Sequence, residues 1–136
     1  MERIAKQLRR SFDWYVAIAR GGMVPACLLA QITGQERIDT ICLNSYGDGQ
    51  EQQQLTIWDK AFFHVAGCSV LLIDDLVDTG HTMRAAMNLM VAAGAKSIQT
   101  AVIYRKANSL FQPDYFIEEK PRDEWIVFPW EKNQTI

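Results

Sequence analysis

No stretch of this sequence comes near the roughly 18 consecutive apolar residues that a membrane-spanning helix requires. The apolar run inside "MERIAKQLRRSFDWYVAIAR", from Trp14 to Ala19, is too short for the core of a secretory leader and ends at Arg20. No membrane insertion and a cytoplasmic location are therefore expected. Cysteine is scarce as well. The 3 present, Cys27, Cys42 and Cys68, stand far apart, show no zinc-ligand spacing and sit among apolar neighbours, which reads as buried free thiols in a reducing compartment. An excess of one charge is also missing: 14 Lys and Arg against 16 Asp and Glu leave a net charge of -2, so nothing draws the chain toward nucleic acid or an anionic bilayer. Repeats, low-complexity tracts and linker-like stretches are absent, and so is any convincing Ser-His-Asp or Cys-His arrangement for nucleophilic catalysis.

Apolar material is plentiful: 49% hydrophobic residues over 136 positions suffice for one core, so residues 1–136 are expected to form a single domain. Ile4 and Leu8 lie four apart among charges, which suits a short amphipathic helix. "WYVAIA" then reads as a buried strand and "RGG" as a turn. "MVPACLLAQIT" reads as a helix with its proline in the first turn, where a missing N–H costs little, and Gly34 as its stop. "RIDTICL" predicts a second strand, "NSYGDGQEQQQ" a mobile polar loop, and "QLTIWD" a further strand. "GCSVLLIDDLV" is continuously apolar up to its acids, as a strand covered on both faces should be. "TGHTMRAAMNLMVAAGA" repeats Met83, Ala86, Met87, Met90 and Val91 at helical spacing with Gly94 as its end. "SIQTAVIY" is the strand after it. This order of strand, turn, helix and strand predicts an α/β fold, a mainly parallel sheet flanked by helices, with ligands at the carboxyl ends of the strands. The Arg20 and Asp74 turns both fall there. The tail "KPRDEWIVFPWEKNQTI" is irregular, and its tryptophans need a surface to pack on.

The stretch "VLLIDDLVDTGHT" concentrates the chemistry. A strand stopping at Asp74 and a helix starting near Thr79 leave free backbone N–H groups aimed at one spot. There the helix dipole adds roughly half a positive charge. Thr79 and Thr82 add hydroxyls, and Gly80 permits close approach or a positive φ. A phosphate fits. Asp74 and Asp75 cannot bind that phosphate, but they suit sugar hydroxyls or a hydrated Mg²⁺ beside it. A ligand carrying a phosphate at one end and hydroxyls in its middle, such as a ribose 5-phosphate, satisfies both halves. Taken in isolation, the acids would read as ordinary loop residues, Thr79 as an N-cap, and "RGG" as a plain turn.

Four aliphatics, two acids, two aliphatics, an acid and then Thr-Gly-x-Thr resemble the phosphoribosyl pyrophosphate (PRPP) motif of type I phosphoribosyltransferases. "AIARGGMVPACLLA" resembles the pyrophosphate-binding turn of the purine members and "NSYGDG" the start of their catalytic lid. "EWIVFPWE" resembles the base-binding hood of the xanthine-guanine members, so the similarity runs from about Trp14 to Glu131. The resemblance implies a Rossmann-like fold with a small C-terminal hood segment, and it assigns roles. Asp74 and Asp75 would hold the ribose 2- and 3-hydroxyls, Asp75 also meeting the metal. Asp78 would lie near purine N7 as a proton acceptor or donor. The run Asp78, Thr79, Gly80, His81 and Thr82 would cradle the 5-phosphate, His81 being the variable, solvated position. Arg20, Gly21 and Gly22 would meet pyrophosphate, with a cis peptide between Ala19 and Arg20. Lys106 would donate to O6 of the base, although Arg105 stands next to it. Trp125 would stack on the base and the main chain of Ile126 would read C2. Alone, Trp125 reads as a core aromatic.

The implied reaction transfers the 5-phosphoribosyl group from PRPP to N9 of a 6-oxopurine and releases pyrophosphate, with Mg²⁺ as cofactor and Ser45 and Tyr46 in a lid that excludes water. The partners implied are PRPP, a purine base and further copies of the chain in a homodimer or homotetramer, with no nucleic acid. Three rivals remain. A phosphoacceptor receiver domain would place paired aspartates in its first strand with several βα units still to come, and only 61 residues follow Asp75 here. A regulatory relative that binds RNA or DNA would need a basic face. An enzyme of the same fold could act on another base.

Overall fold

The computed structural model describes residues 1–46, 54–57 and 63–131. Helix α1 (Glu2–Gln7) leads into strand β1 (Trp14–Ala19), helix α2 (Met23–Thr33) and strand β2 (Ile38–Tyr46). Strand β3 (Gln54–Ile57) pairs antiparallel with β2, so Asn44, Ser45 and Tyr46 belong to a strand and not to the expected loop. Their main-chain groups are engaged in that ladder. The rest of the expected loop, 47–53, lies outside the described residues, as do 58 and 59 of the expected third strand.

Strand β4 (Ser69–Ile73) is the core of the molecule, and every residue from Val70 to Ile73 is fully buried. Because side chains alternate along a strand, Val70 and Leu72 join Val16 and Ile18 of β1 on one face, while Leu71 and Ile73 join Tyr15 and Ala17 on the other. The first face packs on Met83, Ala86 and Met90, and the second on Ile4 of α1 and Ala26, Leu29 and Ala30 of α2. Each such Leu or Ile contributes about 1.5–3 kcal/mol by leaving water. This two-sided burial is why the run carries no polar residue until its end.

The apolar run does not continue as one strand. At Asp74 and Asp75 the chain leaves the main sheet and resumes as strand β5 (Leu76–Val77), followed by helix α3 (His81–Ala92). The last expected strand is divided likewise, into β6 (Ser97–Ala101) in the main sheet and β7 (Tyr104–Lys106) outside it; β8 (Glu118–Lys120) completes the set. Among the described residues two sheets result, ordered β3-β2-β1-β4-β6 and β5-β7-β8, parallel throughout except at β2–β3. The Asp75 carbonyl accepts N–H bonds from Ile103 (3.0 Å) and Tyr104 (3.2 Å), which fastens the two strand breaks to each other.

From β1 the chain crosses through α2 to β2 on one side, and from β4 through α3 to β6 on the other. The order therefore reverses between β1 and β4. A crevice must open at their carboxyl ends, where the Arg20 and Asp74 turns sit.

The expected burial of the cysteines is overturned in part. All 3 are free, but Cys27 is exposed on α2 and the other two are half-buried. Trp125 is no core residue either, at 87% exposed. Trp130 does find a surface within the chain: it stacks on Phe128 (centroids 4.8 Å apart), which stacks in turn on Tyr104 (5.6 Å).

Candidate functional site

The turn after β1 and the acids after β4 interlock, and two glycines make that possible. A Cβ on Gly21 would stand 2.4 Å from Asp75 Oδ2, and a Cβ on Gly22 would stand 2.2 Å from the Ile73 carbonyl oxygen. No larger residue fits either place without something moving. Gly22 N–H donates to Ile18 O (2.8 Å), and Met23 N–H to Arg20 O (3.1 Å), so the turn closes tightly before α2 begins. The Ala19–Arg20 peptide is cis, as expected, and Arg20 is exposed at the crevice.

Asp74 and Asp75 meet as neighbours with unequal surroundings. The Asp75 N–H donates to Asp74 Oδ1 at 2.8 Å, and the Asp74 N–H donates to Ala101 O at 3.1 Å. Burial pushes the Asp74 carboxyl well above its ordinary value of 3.8, and the adjacent Asp75 charge pushes it further. Burial also raises Asp75, a hydrogen bond from Asp74 opposes the rise, and the nearby Glu131 carboxylate adds to it. Acids held this way against their ionised form gain from a ligand that brings hydroxyl donors or a cation.

Glu131 is a residue that sequence reasoning missed. With Trp130, Arg20, Gly21 and Asp75 it lines a cleft of about 450 Å³. A cluster of oxygen donors of one sign, Asp75 with Glu131 close by, is the donor set a hard divalent cation prefers, with the remaining positions left to water and substrate. Among the described residues no group of three or more His, Cys, Asp or Glu converges to hold a metal ion unaided.

A second cavity, of about 150 Å³, lies under the next turn and is lined by Asp74, Asp78 and the residues from Leu76 to Met83. Here the structure refines the expectation. α3 begins at His81, two residues later than the spacing suggests, because Gly80 itself is the N-cap, in the left-handed region at φ 92°. Thr79 Oγ1 accepts the His81 N–H at 3.3 Å. Thr79 and His81 are exposed, Thr82 is half-buried and Gly80 is buried.

Lys106 is 6% exposed, and its ammonium donates to the backbone carbonyls of Pro121 (3.4 Å), Arg122 (3.4 Å) and Glu124. Arg105, one residue earlier in the strand, points away: it donates to Ser109 O (3.0 Å) and Phe111 O (3.4 Å) and pairs with Glu119. Lys106, not Arg105, therefore stands beneath the segment that leads to Trp125 and Ile126. Trp125 lines neither cavity and projects outward; Ile126 is half-buried. The side chains of Ser45 and Tyr46 lie outside the description.

A family model described as "Phosphoribosyl transferase domain" matches residues 1–132. The chain is 37% identical over 124 residues to the xanthine-guanine phosphoribosyltransferase of Chromohalobacter salexigens, spanning 91% of this chain and 72% of that protein. It is 39% identical over 120 residues to the enzyme of the same name from Desulfotalea psychrophila, spanning 88% and 71%. Among solved structures it resembles the purine phosphoribosyltransferase of Pyrococcus horikoshii with a TM-score of 0.84 and 30% identity, covering 98% of this chain and 87% of that one. No described helix is long and apolar enough to cross a membrane.

Proposed function

The chain belongs to the phosphoribosyltransferase domain family, and from that membership we propose that it transfers the 5-phosphoribosyl group of PRPP to N9 of a 6-oxopurine, releasing pyrophosphate, within a single domain. The observation that carries this reading is the interlock at the crevice: the Gly21 main chain lies directly against the Asp75 carboxylate, and the adjacent Asp74 lines the cavity under the Gly80 turn. That neighbourhood supports assigning recognition of pyrophosphate, sugar and 5-phosphate to one switch point.

In this reading the N–H groups of the Asp78–Thr82 turn hold the 5-phosphate, and Asp74 and Asp75 accept the ribose 2- and 3-hydroxyls. Arg20 and the Gly21–Gly22 main chain take pyrophosphate. Departure of pyrophosphate leaves oxocarbenium character at C1, so the site works by alignment and by fixed charge rather than by a nucleophile. The purine N9 attacks C1 as the C1–O bond to pyrophosphate breaks, and Asp78 accepts or returns the proton of the imidazole ring at N7. Mg²⁺, bound near Asp75 and Glu131 and carried by the substrate phosphates, would supply charge neutralisation of the leaving group. Trp125 stacks on the base, the Ile126 main chain reads C2, and Lys106 donates to O6, which exchanges one of its three carbonyl bonds for the ligand. Ser45 and Tyr46 belong to the lid.

A pyrophosphate-release assay with PRPP, Mg²⁺ and guanine, xanthine, hypoxanthine, adenine and uracil tests the proposal. Turnover with the 6-oxopurines alone is expected. Inactivity with all five bases would refute it, and turnover with uracil alone would reassign the base. Asp75→Ala should abolish PRPP use with the fold retained.

The oligomeric part of the proposal rests on α2. Its outer side exposes Met23, Val24, Leu28 and Ile32 at 37–49%, and the helix contains no charged residue. A face without charge pairs with a copy of itself across a twofold axis without opposing like charges, so the occupant proposed is a second copy. Leu28→Glu should shift sedimentation toward monomer; an unchanged assembly would move the interface elsewhere.

A further inference from the structure

The Asp78–Thr82 turn leans on a loop that contributes nothing to the site as assigned above. A Cβ on Gly80 would come within 2.3 Å of the Phe111 Cβ, so Phe111 occupies the space directly behind the turn. Phe111 is 7% exposed and belongs to the same buried cluster as Val77 and Met83, which flank the turn on either side. Two arginines fasten the loop that carries it. From α3, Arg84 lies over the Phe111 ring (5.5 Å to the centroid) and its Nη2 donates to Leu110 O at 3.2 Å. From β7, Arg105 donates through Nε to Phe111 O at 3.4 Å and through Nη2 to Ser109 O at 3.0 Å, while Nη1 pairs with Glu119. The loop also turns on Asn108, a non-glycine residue at φ 68°, and the Phe111 N–H donates to Ser109 Oγ at 3.2 Å. Its tip, Leu110, is 87% exposed and packs on little.

We propose that residues 108–111, fastened by Arg105 and Arg84, form a brace that fixes the curvature of the phosphate turn through Phe111 pressed against Gly80, making Arg105 and Phe111 positioning residues for the 5-phosphate. The proposal rests on the reading of that turn as the 5-phosphate cradle. Its physical basis is directional. Amide donors bind an anion well only when several are aimed at once, and a five-residue turn built around glycine has the backbone freedom to lose that aim. Packing Gly80 against a buried ring removes the freedom from behind, without placing any group in the anion's path. The Arg105 guanidinium is committed to main-chain carbonyls and Glu119, so it is neither a phosphate ligand nor a base ligand.

The test compares wild type with Arg105→Met, Phe111→Leu and the conservative Arg105→Lys. Ribose 5-phosphate binding is measured by titration calorimetry, amide exchange is followed over residues 79–82 in the ligand-free protein, and KM is measured separately for PRPP and for the base. Arg105→Met and Phe111→Leu should bind ribose 5-phosphate about tenfold more weakly and raise the PRPP KM by a similar factor. Their turn amides should exchange faster, the base KM should not change, and Arg105→Lys should recover part of the loss. If wild type binds ribose 5-phosphate and both variants match it, with unaltered exchange, the brace is wrong and the site assignment stands. A rise in base KM instead of PRPP KM would also overturn the brace, since Arg105 would then serve the base. If wild type binds no ribose 5-phosphate, the cradle assignment falls and takes the brace with it. Should Phe111→Leu fail to fold, Arg105→Met alone decides.

Discussion

Replacing Gly21 with alanine separates two consequences that most substitutions confound. The added Cβ would lie 2.4 Å from Asp75 Oδ2 and 2.6 Å from its Cγ, about 1 Å short of ordinary contact at 3.4 Å. Gly21 is not among the glycines with positive φ, so alanine meets no backbone penalty there. What must give is the Asp75 carboxylate, the free end of a side chain with room on its cleft side. Stability should therefore change by less than about 1 kcal/mol, within the range of a mild substitution. Function should not be spared, because a displacement near 1 Å in a group that grips the substrate costs on the order of 10²-fold in rate. The expected result is a melting temperature close to wild type with kcat/KM for PRPP lowered roughly 100-fold, while base binding measured without PRPP stays the same. A Gly21→Ala protein with wild-type kcat/KM for PRPP would refute the claim that Asp75 contacts the sugar from this position.

The neighbouring change, Gly22→Ala, should behave in the opposite way. Its Cβ would meet backbone, the Ile73 carbonyl at 2.2 Å, so a stability loss of about 1–3 kcal/mol or more is expected in thermal or urea unfolding. Asp74→Asn should stabilise the ligand-free protein at neutral pH. Asp74 has a raised value in the folded state, so the fold binds a proton that the unfolded chain releases, and wild type loses stability as pH climbs from the ordinary carboxylate range through that raised value. The variant should lack that slope and should match wild type below the unfolded value, about pH 4; parallel melting curves across the range would contradict the burial of this carboxyl. Lys106→Met removes the ammonium that ties the carbonyls of Pro121, Arg122 and Glu124 together, leaving only the Glu124 N–H bond to Pro121 O, and trypsin should then cut faster after the exposed Arg122. Unchanged proteolysis would mean that the ammonium does not hold that segment.

The parts of the fold that were legible in the sequence are those with a local cause. Two-sided burial writes itself as the apolar run of β4, a first-turn proline marks α2 and helical spacing α3, and Gly34 and Gly94 end them by adopting positive φ. The division of "VLLIDDLV" and of "SIQTAVIY" between two sheets has no local sign, since Leu76, Val77 and Tyr104 suit either sheet equally well. It is set by pairing with β7 and β8 far along the chain. The acids and glycines of the candidate site stand out in the sequence because the turn proposed for the 5-phosphate needs them in order. Glu131 and Phe111 could not, because each acts across a distance in sequence, one by its charge on Asp75 and the other by filling the space that Gly80 leaves. Burial of Cys27 failed as an expectation because it lies on the outer side of α2 with Val24 and Leu28, which are exposed, while the buried side is taken by Ala26, Leu29 and Ala30.

The separation into two sheets has an evolutionary consequence. The groups proposed to grip the ribose hydroxyls and pyrophosphate follow strands of the large sheet, the 5-phosphate turn and Lys106 belong to strands of the three-stranded one, and the stretch from Pro121 to Ile126 lies in neither. Mutations that retune which base is accepted can then accumulate from Pro121 to Ile126, outside both sheets, without redrawing the strands that carry the grip on the donor. A lineage built on this plan can trade one nucleobase for another while its grip on the common co-substrate is inherited intact.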